Sequence, residues 1–403
     1  MSAPIVIAGA GIGGLTAALS LARAGKRALV LERAPRIEEI GAGLQIAPNA
    51  GRILAKLGLE PALAAVALEP EAINVRRGRD GAVLARLDLR DASSRWGAPF
   101  RLFHRADLQG ALLQAALDNP NAHVRSGARV GDFEASARGV RIRVHTQEGV
   151  EEIEAAGLVG ADGVRSSVRG HLVPSERDAP AYSGCVAWRA TLPADSVPAA
   201  LRALESNLWL LPGAHVVHYP LRDASLINAV VIIEEPPEAE DAHSSLSLNG
   251  AELASRFSPR HLAAELRDLI NAGDSWRHWP LFARPALKQW SRGPVTLLGD
   301  AAHPMVPFLA QGAAQAIEDA DALGEAFMRL GATVETAFAA YETARLDRAE
   351  RVVRASRRQG AYDHLSGLPA AVRDLAIRAL GGPGILWRNA WLYSPRTAKK
   401  AAR

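Results

Sequence analysis

Apolar residues along the chain fall into two rhythms, short continuous runs and alternating runs, and the change between them divides the molecule. Val6-Ile7-Ala8 is a continuous run that ends in Gly9-Ala10-Gly11-Ile12-Gly13-Gly14, and an alanine-rich segment then begins at Leu15-Thr16-Ala17-Ala18. This order predicts a buried strand, a tight turn and a helix. A second strand is expected over Ala28–Leu31, a helix after Asn49, and short strands over 72–89 with a turn at Asp80-Gly81. A helix over about 106–117, introduced by His104-Arg105, returns to the first style, and Val140, Ile142 and Val144 then alternate with polar residues as in a small meander. Two more buried-looking strands end in acidic glycine turns: Leu158-Val159-Gly160 before Ala161-Asp162-Gly163, and 295–298 before Gly299-Asp300-Ala301-Ala302-His303. Between them, 181–233 reads as a block of strands. After Gly312 the residues Ala313, Ala316, Ile317, Ala320, Leu323, Phe327 and Leu330 recur at helical spacing and predict one apolar face.

The expected architecture is α/β. Segments 1–71, 100–180 and 280–360 form a discontinuous nucleotide-binding domain, 72–99 and 181–279 a sheet-rich inserted domain, and 361–403 a C-terminal helical segment. The ligand crevice is expected where the two domains meet. With 403 residues, 48% hydrophobic and 22% charged, the chain has the composition of a soluble protein with a sizeable core, so no disordered or fibrous class is needed. Nothing before the first strand leaves room for a leader peptide, and no apolar run approaches the about 18 residues of a membrane span.

The formal charge of +4 is modest. Its main basic cluster, Arg345, Arg348, Arg351, Arg354, Arg357 and Arg358, has Glu342, Asp347 and Glu350 interleaved and no aromatic ladder, so a solvated, salt-bridged helix face is expected and no nucleic-acid partner. Lys399, Lys400 and Arg403 read as a frayed tail. The single cysteine, Cys185, excludes an internal disulfide, fits a reducing cytoplasm and reads as a core residue. Apolar residues over 375–393 are expected to form an apolar interaction surface, a core lid or a homodimer contact, and the pattern does not choose between them.

The first turn carries the clearest chemistry. Gly9 permits the tight turn, Gly11 lets backbone approach a pyrophosphate, and Gly14 lets helix pack on strand. The helix start adds free N–H groups and a positive dipole end. Glu32, with Arg33 beside it, ends the second strand where a carboxylate can accept the hydroxyls of an unphosphorylated ribose. An adenine dinucleotide is expected, with NAD and FAD both open at this point. The start Gln311-Gly312-Ala313-Ala314 lacks bulky side chains near the helix amides, which suits an anionic ring edge as well as a phosphate. No histidine has the paired spacing of a metal ligand, and Ser166-Ser167 lack the setting of a nucleophile elbow.

Three segments in order, Gly9 to Gly14 with Glu32, then Gly160-Ala161-Asp162-Gly163-Val164-Arg165-Ser166, then Gly299-Asp300-Ala301-Ala302-His303-Pro304, resemble the single-component flavoprotein aromatic hydroxylases. That group includes para-hydroxybenzoate, salicylate, 3-hydroxybenzoate and 6-hydroxynicotinate monooxygenases. The resemblance implies FAD rather than NAD as the bound dinucleotide, in a Rossmann-like domain with an inserted substrate domain. It implies that Gly9, Gly11 and Gly14 cradle the pyrophosphate, that Glu32 holds the adenosine ribose, and that Arg105 reaches back to FAD. It further places Asp162 with the pyrophosphate and the reducing nicotinamide, and Asp300 with the ribityl chain or ribose. Gly312, Ala313 and Ala314 offer amides to the flavin N1 and O2 edge, Leu44-Gln45 lie beside the ring, and Pro307 packs against ring and substrate. Some relatives carry histidine at position 45. The implied cycle uses NADH or NADPH and O2, through an oxygen adduct at flavin C4a. No second Gly-x-Gly-x-x-Gly is present, so the nicotinamide donor is expected in a transient groove.

Attack on a phenol is easier once it is ionised, so a general base of near-neutral pKa is expected. His215-Val216-Val217-His218-Tyr219 supplies the candidate: strand alternation puts His215 and Tyr219 on one face and His218 on the other. The expected catalytic residues are His215, Tyr219 and Pro307. A hairpin-edge histidine is the plainer reading of His215. His218, His303, Trp188 and Trp209 are expected to pack or to hold structure, and Arg189 is a candidate carboxylate group. Competing functions are hydroxylation of a larger lipophilic or quinone-like substrate and a non-hydroxylating FAD oxidoreductase.

Overall fold

The structure, a computed structural model, describes residues 3–37, 43–173, 175, 178–236, 246–329 and 331–394. The expectations for Leu330, Lys399, Lys400 and Arg403 fall outside them. Strand β1 (Ile5–Ala8) lies inside a six-stranded sheet of order β18-β19-β11-β1-β2-β7, and all four of its residues are buried. β2 (Ala28–Leu31) and β11 (Gly157–Gly160) flank it in parallel, β7 (Ala122–Arg125) and β19 (Val295–Leu297) extend the parallel set, and β18 (Ser291–Arg292) closes one edge antiparallel. Continuous apolar runs are required here, because a parallel sheet is covered on both faces. Helix α1 (Ile12–Arg23) starts inside the glycine turn, ahead of the Leu15 expected. It packs against α5 (Arg105–Leu117) and α9 (Gly312–Phe327), and α9 is covered in turn by the long α10 (Val334–Asp363).

The meander is β8 (Arg129–Ser136), β9 (Gly139–Thr146) and β10 (Gly149–Ala155), with Val140, Ile142 and Val144 fully buried. A short ribbon, β3 (Gly43–Ile46) with β6 (Arg101–His104), joins this region to the second sheet. That sheet has eight strands in the order β16-β17-β12-β15-β14-β13-β4-β5. Its members are β4 (Ala72–Arg77), β5 (Val83–Asp88), β12 (Ala181–Pro193), β13 (Glu205–Leu211), β14 (Ala214–Leu221), β15 (Leu226–Glu234), β16 (Ser247–Leu248) and β17 (Trp276–Ala283). The early hairpin β4–β5 enters it through parallel pairing of β4 with β13. One face carries a core of Trp188, Trp209, Val216 and Trp276, covered by α7 (Gly250–Ser255) and α8 (Ala264–Asn271) through Leu253, Leu266 and Leu269.

Shorter helices α2 (Pro48–Lys56), α3 (Glu60–Ala64), α4 (Ala92–Trp96) and α6 (Ser167–Leu172) fill the connections. The C-terminal α11 (Gly367–Tyr393) packs on β5, burying Ile377, Leu386 and Leu392 while Leu368, Val372, Leu375 and Trp387 stay exposed. The boundary expected at 361 falls inside the last turn of α10. Among the described residues no helix is long and apolar enough to cross a membrane.

Candidate active site

The glycines of the first turn do different work. Gly9 has φ +102°, and a Cβ at Gly14 would lie 2.0 Å from the Gly9 carbonyl oxygen, so both positions are closed to other residues. A Cβ at Gly11 would meet nothing within 4 Å. The loop is therefore packed tight behind and open in front, with bare backbone turned to the opening. Glu32 is clamped at its rim: one carboxylate oxygen accepts from the Ala10 N–H (2.8 Å) and the other from the Ala34 N–H (2.9 Å). Arg33 is exposed beside it.

The two acidic turns differ. Asp162 Oδ2 accepts from the N–H and hydroxyl of Ser167 (2.7 and 3.0 Å) and more weakly from the Val168 N–H (3.3 Å). It thus caps α6 together with Ser166, whose hydroxyl accepts from the Arg169 N–H. Asp162 Oδ1 is buried without a hydrogen-bond partner among the described residues. Asp300 lies in the tight turn Gly299–Ala301, where Gly299 has φ +62°. Its side chain is exposed although other protein groups lie around it. Burial pushes its carboxyl upward, and the charges of His303 and Arg105 oppose that.

At the start of α9, the first amides have no intrahelical acceptors, and Gly312 and Ala313 keep exposed surface while Ala314 is buried. Under this turn lies a charged network that the helical pattern did not reveal. Asp319 accepts from the Gly299 N–H (3.0 Å), from His303 Nε2 (2.6 Å) and from Arg345 Nε (2.6 Å). Glu318 binds Arg345, Arg348 Nε (2.6 Å) and Asn49 Nδ2 (2.7 Å), and Asn49 also reaches Gln311 (3.0 Å). Burial raises the Glu318 carboxyl, but Arg345 and Arg348 overcome it and hold the group at about 2. The expected solvated arginine face holds for Arg351, Arg354, Arg357 and Arg358, which are exposed, and is corrected for Arg345, 0% exposed, and Arg348, 19%. Carboxylates on α9 pay for that burial by pairing, so α9 is buried on its polar side as well as its apolar one. The network ties the Asp300 turn to the helix that begins at Gly312.

The second sheet offers its uncovered face to this region. Leu208, Val217, Val230 and Arg189 are direct cross-strand partners on β13, β14, β15 and β12. All four keep exposed surface, whereas their same-face neighbours Ser206, Leu210, His215, Tyr219, Asn228 and Ile232 are buried. A transverse row of the sheet is thus less buried than the rows on either side of it. Facing it are the half-buried Met305, Pro307, Phe308 and Leu309. Phe308 packs with the cluster that includes Val230, and Met305 and Leu309 with the one that includes Leu208. Gln45 lies in strand β3, and its Nε2 donates to Ser206 Oγ (3.2 Å). Tyr219 crowds Gly43, where a Cβ would lie 2.6 Å from the phenol oxygen.

The strand alternation expected for His215 and Tyr219 is present, and they flank Val217 along β14. His218 turns away and accepts from Trp209 Nε1 (3.0 Å) in the opposite core, which also takes Trp188. A near-neutral base is not what His215 is: burial first, and His364 second, push it down to about 3. His215 Nδ1 lies 2.8 Å from His364 Nε2, and His364 Nδ1 lies 2.8 Å from Glu234 Oε1. Neither partner was read from the sequence, since His364 is 149 residues from His215 and carries no local motif. Cys185 is buried near Glu234, its thiol raised to about 11 by burial, as suits a packing residue.

Residues 2–356 match the family model described as an FAD binding domain. The chain is 40% identical to 3-amino-4-hydroxybenzoate 2-monooxygenase of Streptomyces platensis, over 99% of this chain and 98% of that one. It is 36% identical to 3-hydroxybenzoate 6-hydroxylase 1 of Aquipseudomonas alcaligenes, over 98% of each. A salicylate hydroxylase solved as a substrate complex superposes with a TM-score of 0.81 at 22% identity, covering 97% of this chain and 95% of that one, a likeness of fold. An open glycine loop, two acidic strand-end turns and a helix start meeting an inserted sheet agree with these matches, and the chain belongs to the FAD-binding-domain family of flavin-dependent monooxygenases.

Proposed function

We propose that this monooxygenase hydroxylates a small phenolic or hydroxylated heteroaromatic acid, with NADH or NADPH as electron donor and O2 as oxidant. The observation that carries the reading is the half-buried row Leu208, Val217, Val230 and Arg189, bounded by His215 and Tyr219, with Met305, Phe308 and Leu309 packed beside it and Gln45 bonded to the neighbouring Ser206. Its apolar members suit a flat ring, and Arg189 supplies a cation for a carboxylate. The residues present fit FAD: the Gly11 opening and α1 start suit a pyrophosphate, and the α9 start suits an electron-rich ring edge. In this reading Gly9, Gly11, Gly14, Glu32, Arg33, Arg105, Asp162 and Asp300 hold the dinucleotide, with Gln45, Gly312, Ala313 and Ala314 around the flavin ring. Bound FAD supplies the redox chemistry that activates oxygen. The chain's own residues orient the ring, exclude water through the apolar walls and remove the phenolic proton at His215, with Tyr219 and Pro307 positioning the substrate.

The same reading divides the chain into an FAD-binding part (1–71, 100–180, 280–360) and a substrate part (72–99, 181–279), in a reducing cytoplasm that suits the lone thiol. The test is a panel of 3-hydroxybenzoate, salicylate, 6-hydroxynicotinate and 3-amino-4-hydroxybenzoate. One of them should accelerate NADH or NADPH oxidation at least tenfold and yield a hydroxylated product. Equal rates with and without every acid would overturn the proposal.

A further inference from the structure

His215 is 3% exposed, and a base that takes a proton there must pass it on. The partners supply the route. His364, at the C-cap of α10, is 6% exposed, while the Glu234 side chain is 55% exposed at the end of β15. Backbone bonds fix the three together: the Gly213 N–H donates to the His364 carbonyl (3.0 Å), and the Glu234 N–H donates to the Gly213 carbonyl (2.9 Å). Phe308 packs against both rings, at 5.4 and 5.5 Å between centroids.

The hydrogen-bonding order follows from one end. An ionised Glu234 can only accept, so His364 carries its proton on Nδ1 and its Nε2 is a lone pair. That lone pair requires a proton on His215 Nδ1, which leaves His215 Nε2 as the accepting atom. We infer that Glu234 and His364 form a proton relay that sets the tautomer of His215 and connects it to solvent. The inference rests on the proposed removal of the phenolic proton at His215.

One proton enters and one leaves. The aromatic hydroxyl gives its proton to His215 Nε2 as the Nδ1 proton moves to His364 Nε2. The His364 Nδ1 proton then moves to Glu234, which releases it to water, and reverse flow resets the chain. No imidazolium accumulates, so a ring held down at about 3 by burial still serves. Burial also lowers His364, against the pull of Glu234. The other ionisable groups around the chain are Arg373, Asp363 and Cys185. Asp363 is raised to about 7, mainly by burial.

Histidine-selective 15N spectra of the FAD-loaded protein test the tautomers without any substrate. Both rings should be neutral with the proton on Nδ1 at pH 7.5, assigned through His215→Phe and His364→Phe. A proton mainly on Nε2 of either ring would overturn the relay. The second readout is proton release to a dye on mixing with 3-hydroxybenzoate, or with whichever acid of the panel perturbs the flavin spectrum. His364→Phe and Glu234→Gln should slow release at least tenfold at unchanged FAD content, and Glu234→Asp should restore most of it. Glu234 is at the surface, so its variants should fold even where His364→Phe does not. If the acid binds and drives NADH oxidation while release is unchanged in Glu234→Gln, the relay fails and the hydroxylase reading survives. If no acid has any effect, the hydroxylase reading fails, and the tautomers still decide the relay.

Discussion

The two sheets build their halves of the site from opposite materials. Around the six-stranded sheet the working surface is backbone: glycine turns, helix starts and strand ends, braced by charges buried in pairs such as Arg345 with Asp319. On the eight-stranded sheet it is side chain, a row set by strand register with neutral histidines at its margin. A dinucleotide is held by groups nearly every sequence possesses, so its site is specified by where glycine is obligatory. A substrate pocket is specified by which side chains share a pleat. Burial also acts differently on the two sides, as charge is retained where a partner is within reach and lost where none is.

The largest effect expected from breaking the contrast is on the backbone side. Gly14→Ala puts a methyl into the Gly9 carbonyl and should cost about 4 kcal/mol or more in urea melts. Gly11→Ala meets no protein atom, so the fold should survive while FAD affinity falls about tenfold by equilibrium titration. Arg345→Leu leaves Glu318 and Asp319 buried without their main counter-ion and should cost about 3–5 kcal/mol by the same melts.

The neutral side should show itself in acid. Burial depresses His215 and His218 from 6.5 to about 3, so their stabilising contribution is complete above pH 6.5 and is lost as pH falls towards 3. At pH 5 this amounts to about 2 kcal/mol per ring. Melts of His218→Phe from pH 7 to 4 should therefore fall less steeply than those of the natural chain, and equal slopes would contradict the assignment. Val217→Phe fills the middle of the row. It should raise substrate KM about tenfold and leave FAD affinity unchanged.

Local signals made part of this molecule legible. The Gly9 to Gly14 turn, each of the two acidic turns and the strand alternation of His215 and Tyr219 are signals carried by residues only a few positions apart. What stayed hidden joins distant parts of the chain. Arg345 meets Asp319 across 26 residues and reads in isolation as one more exposed helix cation. Glu318 and Asp319 fall off the apolar stripe of α9, and only the arrival of α10 shows that their side is buried too. Glu234 and His364 lack any shared motif, because a hairpin turn and a helix end bring them together. Register likewise decided the half-buried row, since alternation names the residues of one face but not their partners.

The central claim, that a flavin held by the backbone side delivers oxygen to a ring lying on the side-chain row, is tested most directly with 18O2. Using the acid that best stimulates NADH oxidation, the product of the FAD-loaded protein should carry one 18O atom in its new hydroxyl. Stimulated NADH oxidation that yields only hydrogen peroxide, with the acid recovered unlabelled from every member of the panel, would contradict it.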